Sequence, residues 1–273
     1  MKTKLLLLAA MFISTACANM DMDKVLATAG KVAKGPAPVS EAQEIAMGRG
    51  IASNLLGAAP LLDNKPVQKY VNQVGRWLTL NAERPDLPWH FAVLDDEDVN
   101  AFAAPGGYIF ITKGLLARMK SEAELAGVLA HEISHVLKRH HVEAIRKSTR
   151  TSLITGLAKD SLRQSGVSPV LTNLIGVGTE LYARGLDKHD EYEADRMGVV
   201  IAARAGYDPY GLPAVLQTLQ GMNPTHSNLA LMFKTHPSLS DRLDLLDRAM
   251  SGSLDRFETQ PDLAHRFTTV IGQ

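Results

Sequence analysis

The 273-residue sequence has one cysteine, no net charge and few aromatic rings, and each shortage removes a class of function. A single thiol excludes a disulfide scaffold and any cysteine-rich metal site. Balanced charge, 29 Lys and Arg against 29 Asp and Glu, leaves no basic field for nucleic acid or for an electrostatically held membrane surface. With 5% Phe, Trp and Tyr there is no base-stacking platform either, so nucleic acid is excluded as a partner. Beyond the N-terminus no window holds 18 uninterrupted apolar residues, and no later segment reads as a membrane-spanning helix. What the chain does have is 45% hydrophobic residues, ample for a packed core and too many for disorder. A globular enzyme or binding module remains.

The first residues read as an address. Lys2 and Lys4 precede an apolar run from Leu5 to Ile13. That run is far shorter than the roughly 20 residues a spanning helix needs, so a secretory signal is expected. Cys17 follows Ser14-Thr15-Ala16, which resembles a bacterial lipobox with Ser14 in place of the usual Leu. The expectation is a lipoprotein signal peptide at 1–16, with Cys17 acylated as the first mature residue; plain cleavage near Ala18 is the alternative. Ala18 and Asn19 follow Cys17, with no Asp directly after it, which favours the outer membrane as the anchoring site. Residues 17–39, with Gly35-Pro36-Ala37-Pro38, read as a tether. A domain over 40–255 and a C-terminal tail over 256–273 complete the expected organisation. The expected location is periplasmic and lipid-anchored.

Within the domain, Ser40 with Gln43 or Glu44 opens a helical pattern running toward Asn54. Pro66 to Leu80 is a second amphipathic helix, with Val67, Tyr70, Val71, Val74, Trp77 and Leu78 at helical spacing. Trp89–Leu94 and Tyr108–Thr112 read as strands, the latter introduced by Pro105-Gly106-Gly107. From Ser121 onward the pattern is helical. Early strands and late helices predict an α+β fold, mostly helical with a small β-sheet. Residues 152–180, rich in Gly, Ser and Leu, read as short helices or a lid.

The chemistry concentrates in Leu125-Ala126-Gly127-Val128-Leu129-Ala130-His131-Glu132-Ile133-Ser134-His135. Ser121 and Glu124 predict a capping box, and Leu125, Val128, Leu129, Val136 and Leu137 a buried stripe. His131 and His135, four apart, share a helix face and can offer two imidazole nitrogens to one tetrahedral metal. Glu132 sits where it can reach a water at that metal, the arrangement a metal-assisted peptide hydrolase requires. From the His and Glu content, about 0.01 such His-Glu-x-x-His matches are expected by chance, so accident is a poor explanation. A third ligand is offered by the helix beginning Asp190-Glu191-Tyr192-Glu193-Ala194-Asp195. Glu191 and Asp195 share a face, one suited to the metal and the other to the free N–H of a ligand imidazole. Glu193 points elsewhere, Glu143 and His189 are rival ligands, and His140 with His141 reads as a solvated basic helix end.

Four stretches together resemble the HtpX/CaaX-prenyl-protease-like family of zinc metallopeptidases, in its periplasmic, BepA-like branch. They are Asn100-Ala101-Phe102-Ala103-Ala104-Pro105-Gly106-Gly107-Tyr108-Ile109-Phe110, the His131–His135 helix, Glu191 with Asp195, and His236-Pro237 followed by Arg242. The likeness spans about residues 95–245. It implies a zincin-like domain whose edge strand flanks the active-site helix, and a gluzincin site with one Zn²⁺ per chain on His131, His135 and Glu191. It also implies Glu132 as general base. BepA-like proteins carry a tetratricopeptide array that has no counterpart in these residues, so no role resting on that array is carried over.

For the oxyanion of peptide hydrolysis, His236 is the first candidate donor and Arg242 the second. By the same resemblance, His236 can instead plug the open metal position at rest. An extended substrate is expected to add to the edge of the Tyr108–Thr112 strand, with Gly107, Tyr108, Ile109 and Phe110 as contacts. Unfolded or misassembled envelope proteins are the implied substrates. A chaperone-like binding factor with a plugged zinc site, or a non-peptidase metal hydrolase, are the competing expectations.

Overall fold

Side-chain caps set the helix starts in the N-terminal half. In the computed structural model, which describes residues 38–154, 185–222, 230–236, 238–257 and 259–272, α1 (Glu41–Ala58) begins at Ser40. The Ser40 hydroxyl accepts from Gln43 N, and the Gln43 side chain accepts from Ser40 N. Both bonds satisfy N–H groups that a helix start leaves unpaired. Asn64 caps α2 (Lys65–Thr79) by accepting from Val67 N, with Pro66 in the first turn. Val67, Tyr70, Val71, Val74 and Leu78 are buried on its inner face, whereas Trp77 lies at the rim, 51% exposed. Its indole N–H donates to Ala205 O at 2.7 Å.

Strands β1 (His90–Leu94), β2 (Ala101–Ala104) and β3 (Tyr108–Thr112) form one sheet in the order β1-β3-β2. β3 pairs parallel with β1, Phe91 opposite Ile109, and antiparallel with β2, Phe102 opposite Phe110. This corrects the expected open edge at Tyr108–Thr112: that strand is central, with a partner on each side. The cause is β2, an Ala-Phe-Ala-Ala run buried on both faces, which shows none of the polar alternation that marks a strand. The turn between β2 and β3 needs two left-handed residues, and Gly106 and Gly107 adopt φ of 75° and 100° without a Cβ clash.

The outer side of β1 is closed by side chains. Gln68 of α2 donates to Val93 O and accepts from Val93 N, at 2.8 and 2.9 Å. One turn later Asn72 makes the same exchange with Phe91. The two amides stand in for a missing strand and block edge pairing. The sheet's faces then follow the strand period. Ala101, Ala103, Ile109 and Ile111 join the main core with α2, while Phe102, Ala104 and Phe110 pack with Met47 and Ile51 of α1.

A short α3 (Lys113–Leu116) leads into α4 (Glu122–Leu137), which carries the His-Glu-x-x-His motif. Ser121 Oγ accepts from Glu124 N, but Glu124 reaches back to Lys120 N and not to Ser121 N, so only half of the expected capping box forms. Every residue of α4 is buried, not merely a stripe. The helix runs between the sheet and the later helices and has no solvent face, which explains its high apolar content all round. The other α-helices among the described residues are α5 (His140–Ile154), α6 (Lys188–Arg204), α7 (Gly211–Gln220), α8 (Ala230–Thr235), α9 (Leu239–Met250) and α10 (Ala264–Ile271). α6 packs along α4, and α7 and α9 close the far side.

In the described part of 256–273, α10 lies against the start of α4 and against α2. Phe267 of α10 is buried beside Tyr70, and Arg266 pairs with the buried Glu122 at the start of α4. Among the described residues no helix is long and apolar enough to cross a membrane. The signal at 1–16, Cys17 and the tether to residue 37, and the lid expected beyond residue 154, lie outside the described residues.

Candidate metal centre

Helical period brings His131 and His135 to one face of α4, and their Nε2 atoms lie 3.1 Å apart. α6 delivers the third group. Gly198 allows this approach, since a Cβ there would come within 3.0 Å of His131 N. Glu191, with no exposed surface, places Oε2 3.6 Å from His131 Nε2 and Oε1 3.6 Å from His135 Nε2. His236, just after α8, adds Nδ1 at 2.9 Å from Glu191 Oε2. One ligand atom from each of these four residues falls within 4.8 Å of the others.

The donor set fits a divalent metal. His131 Nδ1 lies 2.9 Å from Asp195 Oδ1, close though not aligned as a hydrogen bond, and because a carboxylate only accepts, it favours the tautomer with the His131 proton on Nδ1. Its Nε2 is then a lone pair aimed at a second imidazole and at a carboxylate, an arrangement that repels unless a cation lies between them. Glu191 Oε1 is buried without a hydrogen-bond partner, as expected of an oxygen reserved for a metal. Separations of 3.1 to 3.6 Å also match the edge of about 3.4 Å in a tetrahedron with arms of about 2.1 Å.

The surroundings tune each group. Burial opposes the charge on Glu191, but His236, Arg242 and His131 overcome it and hold its carboxyl at about 2. Burial lowers His135 well below its ordinary value, aided by the neighbouring His131, which keeps its imidazole neutral. Burial likewise raises Glu132, and His236 and His131 offset this only in part. Glu132 Oε2 has no hydrogen-bond partner, and Oε1 lies 4.0 Å from His236 Nε2. For His236, burial disfavours the cation, but the facing Glu191 wins and raises it to about 9.

Arg242 of α9 is 2% exposed and all three of its nitrogens lie on carboxylates. Nε and Nη2 donate to Asp195 at 2.7 and 2.6 Å, and Nη1 lies 3.2 Å from Glu191 Oε2. These contacts fix the two carboxylates, and Arg242 also borders the cavity beside Glu132 and His236. Gly107, Tyr108, Ile109 and Phe110 take no part in lining the cavity beside the motif. That cavity, about 40 Å³, is bounded by His131 and Glu132 and by the apolar Val128, Leu212, Leu216 and Met232.

The rival ligands lie elsewhere. Glu143 pairs with Arg146 on the surface of α5. His189 is inside α6, not before it, with its ring against Tyr192. Glu193 bonds Lys138 at 2.8 Å. His140 is not solvated as expected: it is 6% exposed, with Nδ1 2.9 Å from His135 Nδ1. His141 packs its ring edge-on to His135, and burial lowers it to about 3. Both were hidden because α4 stops at Lys138 and Arg139 takes φ of 59°, turning the chain back toward the site. A non-glycine residue in that conformation gives no sequence signal.

Comparison with known proteins places this geometry among relatives. Residues 65–250, more than half of the chain, match the sequence pattern of peptidase family M48. The chain is 34% identical over 223 residues to the beta-barrel assembly-enhancing protease of Yersinia pestis, covering 78% of this chain and 45% of that protein. The protein of the same name in Escherichia coli (strain K12) is 33% identical over 218 residues, covering 77% of this chain and 45% of its own. The mitochondrial metalloendopeptidase OMA1 of Schizosaccharomyces pombe is 31% identical over 196 residues, 71% of this chain and 56% of that protein. The chain thus spans less than half the length of the two bacterial relatives.

Proposed function

The chain belongs to peptidase family M48, and on that premise we propose that it is a zinc-dependent endopeptidase of the bacterial cell envelope that degrades unfolded or misassembled proteins. The observation that carries the reading is the convergence of His131, His135 and Glu191 beside a buried Glu132 with a partnerless oxygen. The names of the bacterial relatives point to the envelope and to β-barrel proteins as the setting. In the same reading Cys17 is acylated, residues 17–39 tether the domain to the outer membrane, and the domain extends through α10.

His131, His135 and Glu191 would hold one zinc ion. When bound, zinc supplies Lewis acidity, polarising a carbonyl and lowering the pKa of water. Glu132 then acts as general base: Oε2 takes the proton of the attacking water and passes it to the leaving amine. Asp195 holds His131 with the proton on Nδ1, and Arg242 keeps Asp195 ionised and aligned. His236 turns Nδ1 to Glu191 and leaves Nε2 on the side of Glu132, where it can donate to a developing oxyanion. The small apolar cavity favours substrates with a small apolar side chain beside the scissile bond.

A second reading has one observation in its favour. His236 lies within the ligand cluster itself, so it can fill the open metal position at rest, in a chaperone-like factor whose zinc is regulatory. Cleavage of unfolded casein by the parent, Glu132→Gln and His236→Ala separates the two. The peptidase reading expects the parent to cut and Glu132→Gln to bind zinc but lose about 10²–10⁴ in rate. A parent that binds zinc without cutting, together with a His236→Ala variant that cuts, would favour the plugged site. Zinc binding with no cleavage by either protein sinks the peptidase assignment.

A further inference from the structure

We propose that His140 is a positioning residue for the ligand His135, fixing its tautomer through a proton chain that ends on Glu193. The chain is read from three contacts. His135 Nδ1 lies 2.9 Å from His140 Nδ1, and the rings meet edge-on at 71° with centroids 5.1 Å apart. His140 Nε2 lies 3.3 Å from Glu193 Oε2 and 3.8 Å from Asp190 Oδ1. Glu193 is held in turn by Lys138 Nζ, 2.8 Å from its other oxygen.

Donor and acceptor arithmetic fixes the direction. Carboxylates only accept, so the proton of a neutral His140 sits on Nε2, facing Glu193 and Asp190. The opposite tautomer would turn a lone pair on two carboxylates at once. With its proton on Nε2, His140 presents a lone pair at Nδ1, and His135 must donate from its own Nδ1. His135 Nε2 is thereby left as a lone pair, directed at His131 Nε2 and Glu191 Oε1. Asp195 imposes the same tautomer on His131 with one carboxylate. Here an imidazole is interposed, and the terminal carboxylate is 40% exposed, reached because Arg139 folds α5 back against α4. Partners of ligand imidazoles contribute to metal affinity by orienting the ring.

The inference rests on His135 being a ligand, and the test separates the two claims. Zinc affinity of the purified full chain is measured by chelator competition for the parent, His135→Ala, His140→Leu and His140→Asn, with thermal unfolding of each metal-free protein alongside. Asn carries an acceptor near the position of His140 Nδ1, whereas Leu fills the space without one. The expected result is about a 10- to 100-fold loss of affinity in His140→Leu, most of it restored in His140→Asn, with the metal-free midpoints of the two variants alike. Equal losses in Leu and Asn would show that His140 acts by packing and overturn the proposal. Parent-like affinity in both, with His135→Ala impaired, overturns it as well. Parent-like affinity in His135→Ala overturns the metal site itself.

Discussion

Glu122 and Glu191 are both fully buried glutamates in the first turns of the two helices that build the metal centre, α4 and α6. Their surroundings are opposite. Glu122 accepts from Tyr70 Oη at 2.5 Å and Tyr207 Oη at 2.8 Å and pairs with Arg266, so both of its oxygens are occupied. Burial pushes both phenols up to about 12, so they remain donors at any physiological pH. Glu191 has His236 and Arg242 on one oxygen and no hydrogen bond on the other. A buried carboxylate that only holds helices together is satisfied, because an unpaired one is costly. One that keeps an oxygen free beside two imidazoles is explained by a ligand. Burial alone does not distinguish the two roles; the unfilled oxygen does.

Substitutions should separate the roles. The largest effect is expected at Glu191→Gln: zinc affinity by chelator competition falls by more than about 100-fold and casein cleavage is lost, and the metal-free protein, still folded at neutral pH, loses the stability its carboxylate draws from His236 and Arg242. Arg242→Leu comes next. It leaves Asp195 buried without its cation, and denaturant unfolding should show a loss of about 3–5 kcal/mol. Glu122→Ala removes the acceptor of two buried phenols and should lose about 2–3 kcal/mol, yet retain parent zinc affinity per folded molecule. Arg266→Ala should lose only about 1 kcal/mol, because its side chain is 56% exposed and the phenols still hold Glu122. Acid supplies a subtler contrast. The Glu191 carboxyl is held at about 2, below its usual 4.5, so its contribution is complete above pH 4.5 and is lost as pH falls toward 2. Circular dichroism of an acid titration should be flatter over that window in Glu191→Gln.

The groups at the centre were legible in the sequence to the extent that helix period alone places them. His131 with His135, and Glu191 with Asp195, are four apart on helices marked by their apolar residues, the first also by its Ser121 cap. Relations between elements were less visible. β2 escaped because Ala101–Ala104 is buried on both faces and carries no alternation, and without β2 the central strand β3 read as an edge. α10 escaped because it is one short helix of eight residues whose apolar face, Phe267 with Val270 and Ile271, packs on elements distant in sequence. His140 was misjudged because a left-handed Arg139, unmarked by glycine, reverses the chain where a continuing helix would have carried it into solvent. In each case the deciding fact is a contact across the fold that local pattern does not encode.

The central claim, that the free oxygen of Glu191 marks a metal ligand, is tested most directly by metal analysis of purified parent, Glu191→Gln and Glu122→Ala proteins after zinc loading and desalting. About one zinc per chain is expected in the parent and in folded Glu122→Ala, with almost none in Glu191→Gln. Parent-level zinc in Glu191→Gln would contradict the account.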